Sequence, residues 1–200
     1  MGTELEWKYA VPEPALLDEI LCWQPIRCRM THLPREYHMQ SEYYDTPDRR
    51  LSKQQITLRR RLENGAAVVC VKAPLSGSAD PCMRGEWELS GSDLALALPQ
   101  LVASGAPAVL LEAPCLECVC QAAFNRRAVL LRFADGSTAE LALDQGCLAG
   151  PTQSIPLCEL ELEAKTGDPA AACAFVKTLA ARFLLQPEPR SKFARASLLP

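Results

Sequence analysis

Charged residues recur at every second position in five separate β-prone segments of this 200-residue chain, with apolar residues between them. Side chains alternate faces along a strand, so this period gathers the charges of each segment on one side. ELEWKYA groups Glu4, Glu6 and Lys8 against Leu5, Trp7 and Tyr9. ITLRRRLE groups Thr57, Arg59, Arg61 and Glu63 against Ile56, Leu58 and Leu62, with Arg60 as the exception. RGEWEL groups Arg84, Glu86 and Glu88, AELALD groups Glu140 and Asp144, and CELELEAK groups Glu159, Glu161, Glu163 and Lys165. Lys72 is the one charge closing the apolar run AAVVCVK.

These segments are joined in ways that favour an antiparallel sheet. Asn64-Gly65 between ITLRRRLE and AAVVCVKAP is the dipeptide a type I′ hairpin turn prefers, because both central residues need positive φ. Asp135-Gly136 predicts a second hairpin-type turn between CVCQAAFNRRAVLLRF and STAELALDQG. EYHMQSEYYD, residues 36 to 45, reads as a strand ending in a turn at Thr46-Pro47-Asp48. Helical spacing appears at about 14 to 22, in DLALALPQLVAS with Ser92 as N-cap and Pro99 as an expected break or kink, and at 168 to 185. Asp168 and Pro169 begin the last of these, and a Pro-led tail, PEPRSKFARASLL, follows it. Eight or nine strands with helical inserts predict a closed barrel or a sandwich formed by one domain over residues 1 to 200.

A net charge of −3 offers no general attraction to nucleic acid or an anionic membrane, so neither is an expected partner. No stretch approaches the ~20 apolar residues that span a bilayer, and the start of the sequence does not read as a secretory leader. A cytoplasmic location is the default expectation, with a monomer or homodimer as the assembly. Glu6 stands where a myristoylation motif requires Ser or Thr. The ten cysteines are expected to be reduced and mostly buried, Cys70, Cys158 and Cys173 lying in apolar runs. Cys115, Cys118 and Cys120 in CLECVC look like half of a zinc site, but no second Cys/His pair lies at ligand spacing.

One charged row alone is the ordinary solvated side of a half-buried sheet. The set argues for more. Like charges at i and i+2 stand about 6.5 to 7 Å apart, and rows of carboxylates are relieved by a bound cation. Arg59 and Arg61 have the opposite preference, since guanidinium forks match phosphate oxygens. Facing one another inside a barrel, such rows would hold a metal-bound polyphosphate, with Mg²⁺ at carboxylates drawn from Glu4, Glu6, Asp144, Glu159, Glu161 and Glu163. The apolar outer face would then be covered by the helices at about 14 to 22 and 168 to 185.

The ordered set Glu4-x-Glu6-x-Lys8, YYDTPDRRL, LRRR, VKAP, RGEWEL, ALDQG, ELELE and SKFAR resembles the CYTH family, also called triphosphate tunnel metalloenzymes, and within it the bacterial inorganic triphosphatases. The resemblance implies a closed eight-stranded antiparallel β-barrel, a tunnel that binds triphosphate with Mg²⁺ or Mn²⁺ and hydrolyses a terminal phosphoanhydride. It implies a catalytic set of Glu4, Glu6, Lys8 and Lys72. Triphosphate contacts would come from Lys8, Arg59, Arg61, Lys72, Arg84, Arg126 and Lys192, with Arg127 as the alternative to Arg126. Metal ligands would be Glu4, Glu6, Asp144, Glu161 and Glu163, with Glu159 extending the row. Cys70 stands where relatives often carry Thr. Relatives that make cyclic AMP from ATP or hydrolyse thiamine triphosphate define alternative activities, and a non-catalytic polyphosphate or nucleotide sensor is the alternative of a different kind.

Overall fold

The computed structural model describes residues 2–74, 84–113 and 115–200; of residues 2–4 it describes the backbone. The elements in chain order are β1 (Gly2–Glu4), β2 (Glu6–Ala10), α1 (Ala15–Cys22), α2 (Gln24–Arg27), β3 (Arg35–Asp45), α3 (Arg50–Lys53), β4 (Thr57–Glu63), β5 (Ala66–Pro74) and β6 (Arg84–Ser90). They continue with α4 (Leu94–Ala103), β7 (Glu117–Arg132), β8 (Thr138–Ala149), β9 (Ser154–Thr166), α5 (Ala170–Phe183), β10 (Gln186–Pro187) and α6 (Lys192–Ala196).

All ten strands belong to one sheet in the order β1-β6-β5-β4-β3-β7-β8-β9-β2-β10, every pairing antiparallel. Of the expected closed ring of eight strands the antiparallel sheet is found; among the described residues its hydrogen-bonded order has ten members and is not closed. The physical reason lies at Leu5. The N-terminal segment changes partner there, β1 pairing with β6 and β2 with β9, so one strand contributes to both ends of the order. Leu5 itself accepts from Ala164 N at 2.9 Å.

Register makes the charged rows continuous. Residues directly opposite in a ladder point to the same face. Glu6 stands opposite Glu163 and Lys8 opposite Glu161. Asp144 stands opposite both Glu159 and Arg126. On the other half, Arg59 lies opposite Cys70, Thr57 opposite Lys72, Lys72 opposite Glu86, and Arg84 opposite Glu4. Every charged row therefore belongs to one face of the sheet.

The opposite face carries the apolar residues and is covered by helices, as its composition requires. Leu17 and Ile20 of α1 and Val176 and Leu179 of α5 pack against Leu141, Leu143, Leu160 and Leu162. The sequence reading did not assign α4 to this role, yet Leu98 and Leu101 cover Leu58, Val69, Val71 and Trp87. The N-cap of α4 is Asp93 rather than Ser92; its Oδ1 accepts from Ala95 N at 2.8 Å and Leu96 N at 3.3 Å. Pro99 sits inside α4 without ending it. An interior Pro costs about 3 kcal/mol, and the cap together with burial of Leu98 and Leu101 offsets that cost.

Turn chemistry matches the sequence at Asn64-Gly65, where both φ are positive (49° and 87°). The Asp135-Gly136 connection is longer than a two-residue hairpin: β7 ends at Arg132, β8 begins at Thr138, and Asp135 Oδ1 holds the turn by accepting from Ser137 N and Oγ. Asp168 acts as expected, its Oδ1 accepting from Ala170 N at 2.8 Å at the start of α5. The tail returns to the charged face as β10 and α6, where Phe193 and Ala196 join Met39, Tyr43, Phe124, Leu148 and Leu157 in an apolar cluster.

Of the nine described cysteines only Cys70 and Cys120 are buried, which corrects the expectation that most are; Cys158 and Cys173 are half-buried, Cys158 at the edge of the helix-covered core. Among the described residues, Cys115, Cys118 and Cys120 belong to no group of three closely spaced metal donors. Among those residues, no helix is long and apolar enough to cross a membrane.

Candidate functional site

The charged face encloses a cavity of about 630 Å³. Its lining includes Glu6, Lys8, Arg59, Arg61, Lys72, Arg84, Arg126, Glu161, Glu163 and Lys192, which brings together most of the residues singled out in the sequence. Asp144 and Glu159 lie behind this lining, fully buried, and the side chain of Glu4 lies outside the described residues.

One wall comes from β2, β8, β9 and α6. Lys8 Nζ donates to Glu6 Oε1 at 3.1 Å and lies 3.4 Å from Glu161 Oε1. Burial works against the Lys8 ammonium, but Glu161 and Glu6 outweigh it and hold the pKa above the usual lysine range. Arg126 donates through Nε to Asp144 Oδ1 and through Nη2 to Asp144 Oδ2, both at 2.7 Å, and also pairs with Glu161. Burial alone would raise the Glu161 pKa; Lys192, Arg126 and Lys8 together hold it well below the usual carboxylate range. Arg127 points to the opposite face and pairs with Asp18 of α1 at 2.5 Å, so the one-residue ambiguity resolves with Arg126 toward the cavity. Arg60 likewise points outward, to Glu42.

The facing wall comes from β4, β5 and β6. Arg59 and Arg61 sit two residues apart on one side of β4, and the Nε of each is buried without a hydrogen-bond partner among the described residues. Burial and the neighbouring Arg59 charge lower the Arg61 pKa. Arg61 is countered by Glu63 at 2.5 Å and Glu88 at 3.1 Å. Lys72 Nζ lies 3.4 Å from Glu86 Oε1, and Arg84 Nη2 donates to Gln55 O at 2.7 Å and Lys72 O at 3.0 Å. Cys70 is buried between these charges, 3.3 Å from Glu86 Oε1 and 3.6 Å from Arg59 Nη2. Burial pushes its thiol up to about 11.

A third stretch, along β3 and β7, is apolar: Tyr37, Met39, Tyr43 and Phe124 line the cavity between the two charged walls. The sequence reading placed no cavity role on Tyr37, Met39 or Phe124, although the odd positions of EYHMQSEYYD share a face. It also missed Arg195, which pairs with Glu159 one helical turn beyond Lys192. The signal was the i, i+3 spacing of the two bases in SKFAR.

Carboxylates are the donors a hard divalent cation takes, and the donor set here fits one. Glu6 and Glu163 face each other across the β2–β9 ladder at the cavity surface. Deeper, Asp144, Glu159 and Glu161 bring carboxylate oxygens within 4.8 Å of one another.

The fold has close counterparts among solved structures. HpAC1 from Hippeastrum, which carries the name of an adenylyl cyclase and is described as revealing a dominant triphosphatase activity, superposes with a TM-score of 0.60 at 18% identity, covering 98% of each chain. The PH1819 protein of Pyrococcus horikoshii OT3 gives 0.59 at 21% identity, over 96% of this chain and 97% of that one. Such identities speak for the fold. Residues 2–197 match the family model described as the CYTH domain, a match over nearly the whole length, and the chain belongs to the CYTH domain family.

Proposed function

We propose that the protein is a metal-dependent triphosphatase that cleaves inorganic triphosphate to pyrophosphate and phosphate within the charged cavity. The observation that carries this reading is the pair of buried, unpartnered Nε groups on Arg59 and Arg61, facing a wall of carboxylates across one cavity. A polyphosphate would supply the missing acceptors on one side, and the acids on the other would hold the divalent cation that neutralises it. The partner change at Leu5, which ties β6 to β9 through one short segment, supports reading the cavity as a closed tunnel.

In this reading Glu6 and Glu163, with Glu4, would hold Mg²⁺ or Mn²⁺, and Asp144, Glu159 and Glu161 form a deeper carboxylate cluster behind them. When bound, the metal supplies charge neutralisation of the phosphate oxygens and polarisation of the attacking water. Arg59, Arg61, Lys72 and Arg84 orient the phosphate chain from the β4–β6 wall. Lys8 and Arg126 present fixed positive charge from the other wall. Phosphoryl transfer disperses charge over the equatorial oxygens, so positioned cations in a site with little water account for the catalysis without a protein nucleophile.

A second reading, an organic triphosphate such as ATP or thiamine triphosphate, draws support from the apolar Tyr37–Met39–Phe124 stretch. It also draws support from the cavity volume, which lies in the range of about 300–1,000 Å³ usual for small-molecule sites. Phosphate release from triphosphate, pyrophosphate, ATP, thiamine triphosphate and longer polyphosphate, each with Mg²⁺ or Mn²⁺, tests both. Fastest release from inorganic triphosphate supports the first reading, and preference for an organic ester supports the second. Tight triphosphate binding with no release from any substrate would replace both with a sensor.

A further inference from the structure

We propose that the ammonium of Lys192 is the resident cation of the deep carboxylate triad Asp144, Glu159 and Glu161, so that this triad anchors α6 and takes no metal ion while α6 is docked. The inference deepens the reading of the same site and rests on it only in leaving the divalent ion to the surface carboxylates, Glu6 and Glu163 with Glu4.

Three carboxylates this close, two of them without solvent exposure, stay ionised only beside matching positive charge. Lys192 Nζ sits among them, 2.7 Å from Asp144 Oδ2, 3.0 Å from Glu161 Oε1 and in contact with Glu159 Oε1. An ammonium has three donors and no acceptor, one donor for each acid. The remaining oxygens are taken as well. Arg126 reaches Asp144 Oδ1 and Glu161 Oε2, and Arg195 reaches Glu159 Oε2. Three acids thus meet Lys192, Arg126 and Arg195, with Lys8 3.4 Å from Glu161 as a fourth cation, and all six carboxylate oxygens have a cationic partner. A divalent ion placed here would add two positive charges to a cluster whose acids are already matched by cations.

The same contacts explain why α6 exists. Five residues are far too few to hold a helix on their own. Lys192 and Arg195 project from one side of it into the acids, and Phe193 packs on Tyr43 with ring centroids 5.4 Å apart. Lys192 also lies 4.8 Å from the centre of the Phe124 ring. With its donors engaged in this way, Lys192 is an anchor, and Asp144 and Glu159 are its counter-charges.

The test counts Mn²⁺ ions bound to the full chain without substrate, by electron paramagnetic resonance of free Mn²⁺ and by calorimetry. In the wild-type background, Glu159→Gln is expected to leave the number and affinity of bound ions within about twofold. Lys192→Met is expected to bind one ion more than wild type, and the double variant Lys192→Met/Glu159→Gln to lose it. A tenfold or larger loss of Mn²⁺ affinity in Glu159→Gln overturns the proposal, as does an unchanged ion count in a folded Lys192→Met protein. If Lys192→Met does not fold, Glu159→Gln decides alone. No turnover is measured, so failure of the triphosphatase reading would leave these outcomes intact. Wild type binding no Mn²⁺ would overturn the assignment of the surface carboxylates and with it the division of roles proposed here.

Discussion

Lys8 and Glu161 face each other across the β2–β9 ladder, with Nζ 3.4 Å from Oε1, and one ladder step away Glu6 faces Glu163. A base–acid pair and an acid–acid pair therefore lie side by side on the same cavity wall. Lys8 Nζ also reaches Glu6 at 3.1 Å, and Glu163 pairs with Lys165 at 2.6 Å, so each acid of this wall has a basic neighbour.

Arg126 and Arg127 are neighbours in sequence on opposite faces, and their truncation should separate cleanly. Arg126→Ala leaves Asp144 and Glu161 short of a partner and is expected to cost about 3–5 kcal/mol of stability. Arg127→Ala removes a pair whose Asp18 side is 73% exposed and should cost about 0–1 kcal/mol. Denaturant unfolding of the two variants checks the difference, and equal losses would contradict the register.

Gly146 stands where β8 passes β7 too closely for a side chain: a Cβ would lie 2.1 Å from Ala123 O and 2.5 Å from Phe124 Cα. Both obstacles are backbone, so Gly146→Ala must displace the strands that carry Phe124 and Asp144. A loss of about 1–3 kcal/mol is expected, read as a lower Tm, and an unchanged Tm would show that the ladder is looser than described.

Cys70 is a thiol whose pKa burial has raised to about 11, so at pH 8 it is almost entirely protonated and a poor nucleophile. Peptide-resolved alkylation with iodoacetamide should modify the exposed Cys28 and Cys118 first at pH 8 and reach Cys70 only as the pH approaches 11. Tripolyphosphate should slow the modification of Cys70 alone, since Cys70 lines the cavity. Rapid labelling of Cys70 at pH 8 would contradict its placement.

Glu188 holds Arg190 through both carboxylate oxygens, at 2.9 and 2.7 Å, and this bond is the main reason its pKa falls to about 2 from 4.5. A depressed folded-state pKa stabilises the fold above about pH 4.5 and loses that contribution as pH falls through about 2. The Tm difference between wild type and Glu188→Gln should therefore be constant above pH 5 and shrink between pH 4.5 and 2. A difference independent of pH over that range would remove the ion pair from the account.

The charged rows were legible in the sequence because alternation is a local property: ELEWK and LRRRLE show which residues share a face before any pairing is known. The hairpin at Asn64-Gly65 was legible for the same reason. What alternation cannot show is where a strand changes partner. Nothing in ELEWK marks Leu5 as the point where β1 ends and β2 begins, so the sharing of this segment between β6 and β9 was not legible. A phase error of one residue was equally invisible at Arg126-Arg127 until Asp144 and Asp18 fixed the two faces. The Lys192–triad cluster joins residues 31 to 48 positions apart through tertiary packing alone. Sequence spacing showed only that Lys192 and Arg195 share a helix face.

Metal-dependent phosphate release from inorganic triphosphate, compared between wild type, Glu6→Gln and Arg59→Ala, bears most directly on the central claim. Wild type should turn over only with Mg²⁺ or Mn²⁺. Each variant should lose about 10²–10³-fold in kcat/KM, the usual cost of removing one fixed charge from a phosphoryl-transfer site. Turnover that survives chelation of the metal, or that is unchanged in both variants, would contradict it.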